Sequence, residues 1–387
     1  MTPNSSKYTI TENNFTLVNK DNKAVSSGLP KKNCAETSPH ELPFTNRKNL
    51  LQKSTDINRI EKYASKALHI LKIASARLQK RPIPLNVALH VTYRCNQNCV
   101  YCDRHEKTEN AKKNQKEELT ADQLHRIARD FTKLGARGFL LDGGEPLLRG
   151  DLEPLLRFLK TEKVTMRLNT NGTLLPKRKE WLRYIDKIKI SLDGPCDVHD
   201  KFRGSGTFKR ALDGYYTARK ANVETELTCV INSANIYRIP EILELAQKLR
   251  TKVYLQPARG SLFVGKDHTG RKFSVDRAVF QDAIKDLIRH SKHPGLGNTK
   301  ASLRHFLNFP EPTKTPCSAG WITCAVDPYG RLSSCPMLPW KPSNPDLAAR
   351  PVEQAFVSLS RRGCRDCWCA RQVELNFLWG GELYRFL

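Results

Sequence analysis

Between residues 86 and 257, six short runs of apolar and β-branched residues alternate with longer stretches of helical period. The runs are NVALHVT (86–92), FLLDG (139–143), VTMRLNT (164–170), KIKISLD (187–193), ETELTCVI (224–231) and KVYLQP (252–257). Near-continuous runs of this length suit strands buried on both faces of a parallel sheet. Of the intervening helices, LTADQLHRIARDFTKLG is the clearest: Thr120 is a candidate N-cap with Gln123 three residues on, and Gly135 is a stop. RIPEILELAQKLR (238–250) is another. The order predicts an α/β fold, a parallel barrel or partial barrel whose site lies at the C-terminal ends of the strands.

A polar or glycine-rich motif follows each of the first four runs. Cys95, Cys99 and Cys102 follow the first, GGEP (143–146) the second, NTNG (169–172) the third and SLDGP (191–195) the fourth. Three thiols within eight residues are one fewer than a closed zinc site or an ordinary cubane cluster takes. Zinc would need a fourth ligand, for which His105 is the nearby candidate. That reading, a zinc or iron–sulfur protein that binds nucleic acid through a basic surface, leaves the other three motifs unexplained.

With its CxxxCxxC after the first strand and this order of motifs, the stretch 85–257 resembles the radical S-adenosylmethionine (radical SAM) superfamily. The resemblance implies a partial (β/α)6 TIM-like barrel and a 4Fe-4S cluster held through three irons by Cys95, Cys99 and Cys102, with the amine and carboxylate of S-adenosylmethionine on the fourth. It also implies reductive cleavage to a 5′-deoxyadenosyl radical, and a low-potential electron donor such as flavodoxin or ferredoxin. Candidate cofactor contacts are Tyr101 beside an adenine, Gly143 and Gly144 where backbone approaches a ligand, Glu145 near the methionine ammonium, Asn169, Asn171 and Ser191 on hydroxyls or carboxylate, and Arg203 as a carboxylate clamp. Tyr101 reads equally as a packing aromatic, and Glu145 as a loop brace. His199 and Asp200 are read as structural.

Six of the 12 cysteines fall in the last 71 residues. Cys317 and Cys335 flank a hairpin signal in which Asp327–Gly330 turns the chain, and Cys364 and Cys367 form a CxxC. This arrangement, with C…G-x-x-x-x-C at Cys317, Gly330 and Cys335, resembles the twitch extension, the shortened relative of the SPASM domain. It implies one auxiliary 4Fe-4S cluster on Cys317, Cys335, Cys364 and Cys367. Cys324 and Cys369 are possible substitutes among these ligands, and structural zinc is the rival occupant. Cys34, Cys196 and Cys229 are read as ordinary thiols.

The expected organisation is a loosely attached tail (1–55), a basic amphipathic helix (56–84), the barrel (85–257), a connector with helices (258–316) and the twitch-like region (317–387). In the helix, Ile57, Ile60, Ala64, Ala67, Leu71, Ala74 and Leu78 share one face, opposite Arg59, Lys62, Lys66, Lys72 and Arg77. Such a helix covers the barrel or lies on a membrane surface. No run of about 18 apolar residues and no signal-peptide core is present, so the expected location is cytoplasmic, with peripheral membrane contact as an option. In a reducing compartment, metal ligation or burial suits the cysteines better than disulfides. A formal net charge of +26 favours an anionic substrate, such as an acidic peptide or a phosphorylated molecule. Nucleic acid is disfavoured.

Overall fold

The computed structural model describes residues 7–11, 14–18, 81–258, 275–311, 317–338, 341, 343–359 and 367–379. Near the N-terminus, β1 (Lys7–Thr11) and β2 (Asn14–Val18) pair as an antiparallel hairpin that shares no strand with the main sheet. Of the amphipathic helix expected over 56–84, residues 56–80 lie outside the described residues, and 81–84 are not helical, as Pro82 and Pro84 dictate.

The six runs form β3 (Asn86–Thr92), β4 (Gly138–Gly143), β5 (Thr165–Thr170), β6 (Lys187–Ser191), β7 (Glu224–Ile231) and β8 (Val253–Pro257). They pair in parallel in sequence order. The alternation of side chains explains their composition. In β3, Val87, Leu89 and Val91 enter the core beneath the helices, while Ala88 meets Leu140 and Ala325 in a separate cluster.

The connecting helices are α1 (Arg104–Lys113), α2 (Ala121–Lys133), α3 (Glu153–Thr161), α4 (Cys196–Arg203), α5 (Thr207–Lys220) and α6 (Ile239–Lys248), with 3-10 turns at Pro146–Leu148 and Leu175–Tyr184. The capping box expected at Thr120 and Gln123 is formed, and Gly135 takes φ +101° beyond the helix. On α2, Leu124, Ile127, Ala128 and Phe131 make the buried face. Farther on are α7 (Arg277–Arg289), α8 (Lys300–Phe306), α9 (Val352–Val357) and α10 (Ala370–Trp379).

The C-terminal hairpin, β9 (Thr323–Val326) and β10 (Leu332–Ser333), turns where Asp327–Gly330 was expected to turn it, with Gly330 at φ +86°. It is continuous with the barrel sheet. β9 pairs in parallel with β3, giving the order β10-β9-β3-β4-β5-β6-β7-β8, an open sheet rather than a closed barrel. At the other edge, the Asn298 side chain bonds both the N–H (2.7 Å) and the carbonyl (2.9 Å) of Leu255 in β8, satisfying backbone groups that a missing strand would leave open. Helix α10 packs against β8 and α8, so the C-terminal segment helps to wall the sheet's concave face.

Candidate active site

Beyond β3 the chain leaves the sheet as the loop bearing Cys95, Cys99 and Cys102, then enters α1. A turn from the Cys102 N–H to the Cys99 carbonyl (3.0 Å) brings the last two cysteines together. Cys102 lies close enough to Cys95 and Cys99 to raise the cost of ionising each of those two. Burial pushes Cys99 up to about 12, opposed by the Arg203 guanidinium, whose Nη1 lies 3.9 Å from its sulfur. Burial also raises Cys95, against a hydrogen bond from the Gln97 N–H (3.4 Å). Among the described residues no three His, Cys, Asp or Glu are gathered as a single-ion site. The donor set itself, three thiols on one loop with a guanidinium and an N–H already directed at sulfur, fits thiolate ligation of an iron–sulfur cluster. His105 directs its Nε2 at the Gln97 carbonyl (2.7 Å), so the candidate fourth zinc ligand is engaged within the loop.

The GGEP motif acts on this loop. A Cβ on Gly143, at φ +144°, would lie 2.1 Å from the Thr92 carbonyl oxygen, and one on Gly144 would lie 2.2 Å from that of Arg94. Backbone N–H groups of Gly144 and Glu145 donate to those two carbonyls at 2.7 and 2.9 Å. The close approach expected for a ligand is therefore taken by the cluster loop's own backbone. Glu145 is fully buried, and its carboxylate accepts from the Leu147 N–H (3.1 Å), the Thr170 hydroxyl (2.8 Å) and the Asn171 N–H (2.8 Å). Burial pushes it up to about 7. It braces loops, and its engaged oxygens do not suit the expected ammonium contact.

Asn171 extends the brace by donating from Nδ2 to Asn96 Oδ1 at 2.8 Å, with that nitrogen 4.0 Å from Cys95 Sγ. Asn169 donates to Asp142 Oδ2 at 3.1 Å on the concave face. Ser191 ends β6 half-buried, with its hydroxyl engaged by no described neighbour.

Asp193, within SLDGP but not singled out by the sequence reading, organises the remaining side of the loop. It is fully buried, and Oδ2 accepts from Arg203 Nε (2.7 Å) and the Tyr101 hydroxyl, while Oδ1 accepts from the Val230 N–H (3.1 Å). Despite burial, Arg203 holds this carboxyl below the usual range. Tyr101 thus serves as a packing and hydrogen-bonding anchor: its hydroxyl is tied to Asp193, its ring centroid is 6.0 Å from that of Phe202, and the Arg203 guanidinium carbon lies 5.6 Å from it. Arg203 itself is committed to Asp193 and Cys99, which argues against a free carboxylate clamp. His199 accepts at Nδ1 from the Asp193 N–H (3.2 Å), and burial lowers it to about 4, so it is neutral. Asp200 bonds the N–H groups of Gly206 and Phe208, a turn role separate from His199. What could have revealed Asp193 is an acidic residue between a strand and a glycine turn, with an arginine ten residues on.

In the C-terminal set, Asn376 Nδ2 donates to Cys367 Sγ at 3.3 Å, and its Oδ1 accepts from both the N–H and hydroxyl of Ser318, the neighbour of Cys317. Cys335 follows β10 and accepts from the Met337 N–H at 3.5 Å. Cys364 lies outside the described residues. Cys324 is buried in β9 opposite Val87, its thiol pushed far up by burial alone, a core residue and not a substitute ligand. Cys369 instead lies where it influences Lys189 and Arg371. Cys229 is buried within 3.6 Å of Asn235 Nδ2, and Cys196, read as an ordinary thiol, is in a disulfide.

A cavity of about 300 Å³ occupies the concave face. Strands β4 to β8 supply Leu140, Arg167, Asn169, Lys187, Lys189, Glu226 and Tyr254; Gly297 and Thr299 follow, and α10 adds Arg371, Glu374 and Leu375. Lys189 sits 3.6 Å from the Tyr254 ring centroid, and burial lowers it to about 8. No described helix is long and apolar enough to cross a membrane.

The Radical SAM superfamily model matches residues 89–246. A GTP 3′,8-cyclase of Marinobacter nauticus is 32% identical over 233 residues, covering 57% of this chain and 67% of that protein. An AdoMet-dependent heme synthase of Methanosarcina barkeri is 34% identical over 176 residues, 44% of this chain and 49% of the relative, so the match spans about half of that protein. Among solved structures, Streptococcus suis SuiB bound to its precursor peptide SuiA aligns with a TM-score of 0.57 at 17% identity, over 76% of this chain and 70% of that one. The stretch matched by the family model contains the three-cysteine loop and the strand ends that brace it, and the chain belongs to the radical SAM superfamily, whose members use a 4Fe-4S cluster and S-adenosylmethionine.

Proposed function

We propose that this chain cleaves S-adenosylmethionine reductively and uses the resulting radical to take a hydrogen atom from a substrate seated in the concave cavity. Bound at Cys95, Cys99 and Cys102, the cluster with S-adenosylmethionine would supply a 5′-deoxyadenosyl radical. The chain's own contribution is positional. Asp193 fixes Tyr101 and Arg203, Arg203 offers its charge to Cys99, and the Glu145–Asn171 brace fixes Asn96 beside Cys95. This double clamp on one loop is the observation that carries the reading. Ser191 is the candidate contact left with an available hydroxyl.

Cys317, Cys335, Cys364 and Cys367 would hold one auxiliary 4Fe-4S cluster, a full thiolate set suited to accepting an electron from a substrate radical. The donor would be a flavodoxin or ferredoxin. Relatives named as a GTP cyclase, a heme synthase and a mycofactocin maturase share no single substrate, so substrate class has to come from the cavity.

After anaerobic reconstitution and reduction, the wild type should release 5′-deoxyadenosine from S-adenosylmethionine. Replacing Cys95, Cys99 and Cys102 together by Ala should abolish that release and lower bound iron from about eight to about four per chain, at four irons per cubane. Cleavage that persists in the triple variant would refute the catalytic assignment. Iron falling to zero, or tightly held zinc in the wild type, would refute two separate cluster sites.

A further inference from the structure

We infer that Arg167 of β5 and Arg371 of α10 together bind an oxyanion, the carboxylate or phosphate group of an acidic substrate, on the wall of the concave cavity. This deepens the radical SAM reading, on which the word substrate rests.

The cavity lining holds four cations, Arg167, Lys187, Lys189 and Arg371, against two carboxylates, Glu226 and Glu374. Both carboxylates have partners of their own. Glu226 Oε1 pairs with Lys187 at 2.6 Å and accepts from the Tyr254 hydroxyl at 3.2 Å, while its buried Oε2 accepts no hydrogen bond and lies 3.7 Å from Lys189 Nζ. Glu374 accepts from the N–H (3.1 Å) and hydroxyl (2.9 Å) of Thr299. Cys369 and Asp142 both influence Arg371, and Asp142 already accepts from the Gly143 N–H (2.8 Å) and from Asn169 (3.1 Å).

Arg167 and Arg371 are left without an ion-pair partner among the described residues, and Arg371 Nε is a buried donor with no hydrogen-bond acceptor. The two guanidinium groups also repel each other. Two like charges kept together on a half-buried cavity wall, one with a buried donor left unused, are costly unless something negative enters between them. Guanidinium suits that role because its planar fork grips carboxylate or phosphate through two parallel bonds.

Position strengthens the assignment. Arg167 is the third residue of the six in β5, whereas the cluster loop hangs from the C-terminal end of β3. An acid held at strand mid-height would present the rest of its skeleton toward Asn169, Ser191 and the strand ends, where the cysteine loop lies. A cavity of about 300 Å³ is at the lower end of ligand sites and suits a small acid or a single acidic side chain. Because Arg371 comes from α10, the C-terminal segment would share directly in substrate recognition.

The test uses full-length, reconstituted protein in about 0.15 M salt, where the far field of the +26 surface is screened within about 8 Å. Inorganic phosphate and succinate are titrated separately by calorimetry. One saturable site is expected for at least one of them, and the tighter anion identifies a phosphorylated or a carboxylic substrate. Arg167→Met and Arg371→Met should each weaken binding at least tenfold. The Arg167 side chain makes no described hydrogen bond, so its variant serves even if Arg371→Met misfolds. Arg183→Ala, altering an exposed arginine paired with Glu153, should bind as the wild type does. Absence of saturable binding, equal affinity in the Met variants, or equal loss in Arg183→Ala would overturn the inference. Anion binding without 5′-deoxyadenosine production would leave this site standing and defeat the proposed chemistry. Production without anion binding would do the reverse.

Discussion

Asp193 and Arg203 show how much of the site depends on one buried pair. The carboxylate has no exposure, and the guanidinium opposite is 9% exposed at the side chain. Asp193→Ala would leave that cation without its partner beside Cys99, a change that typically costs about 3–5 kcal/mol. Denaturant unfolding should show the loss, and the cluster loop should become protease-sensitive. The pH sign follows from the depressed folded-state pKa of Asp193: its stabilisation is present above the unfolded carboxyl value of about 3.9 and fades as pH falls through the lower folded value. Glu145 behaves oppositely. Its pKa is raised to about 7, so the folded state holds a proton that the unfolded state, near 4.3, has released, and stability declines as pH climbs through that interval. In Glu145→Gln this decline should flatten between about pH 4.3 and 7, measured as the wild-type minus variant unfolding free energy. A difference that stays constant over the interval would show that Glu145 does not titrate there. The sequence made the motif cysteines legible because their spacing is local. Asp193 was not legible as the hub because its partners Tyr101, Arg203 and Val230 lie 92, 10 and 37 positions away.

Elements were legible wherever period and punctuation agreed. The runs at 86–92 and 224–231 match β3 and β7, and Thr120 with Gln123 starts α2. The C-terminal hairpin was legible as a hairpin, from its Asp327–Gly330 turn, but not as part of the barrel sheet. Nothing local in TCAV announces a parallel partner more than 230 residues earlier. Its composition makes sense in hindsight, because Ala325 must fit against Ala88 and Leu140. Ala325→Leu should therefore overpack this cluster and destabilise the barrel by about 1–3 kcal/mol. Hydrogen exchange offers the sharper readout: protection of β3 amides should drop along with that of β9. Unchanged β3 protection, with loss confined to the hairpin, would mean that the two do not form one cooperative unit.

At the scale of the molecule, the open question is what the basic amphipathic run before the barrel covers. Its residues lie outside those described, but the chain emerges from it at a small apolar cluster: Leu85 and Ile322 are buried, with Ile83 and Trp321 packed partly against them. That cluster is separate from the main core and sits where β3 begins, one residue before Asn86. The apolar stripe expected at Ile57, Ile60, Ala64, Ala67 and Leu71 would find matching character in this cluster. A packing role predicts that deleting residues 1–81 lowers solubility and the unfolding midpoint, and shifts tryptophan emission to the red as Trp321 meets water. Membrane attachment predicts something different: a deletion that folds as well as the full chain, together with loss of binding to anionic liposomes. In that case full-length binding would weaken as salt rises, since each basic residue near such a surface contributes about 1 kcal/mol through a screened field. The apolar cluster at the start of β3 favours packing. Salt-sensitive liposome binding that vanishes in a stable deletion would reverse this choice and make a membrane-borne acid the first substrate to try at Arg167 and Arg371.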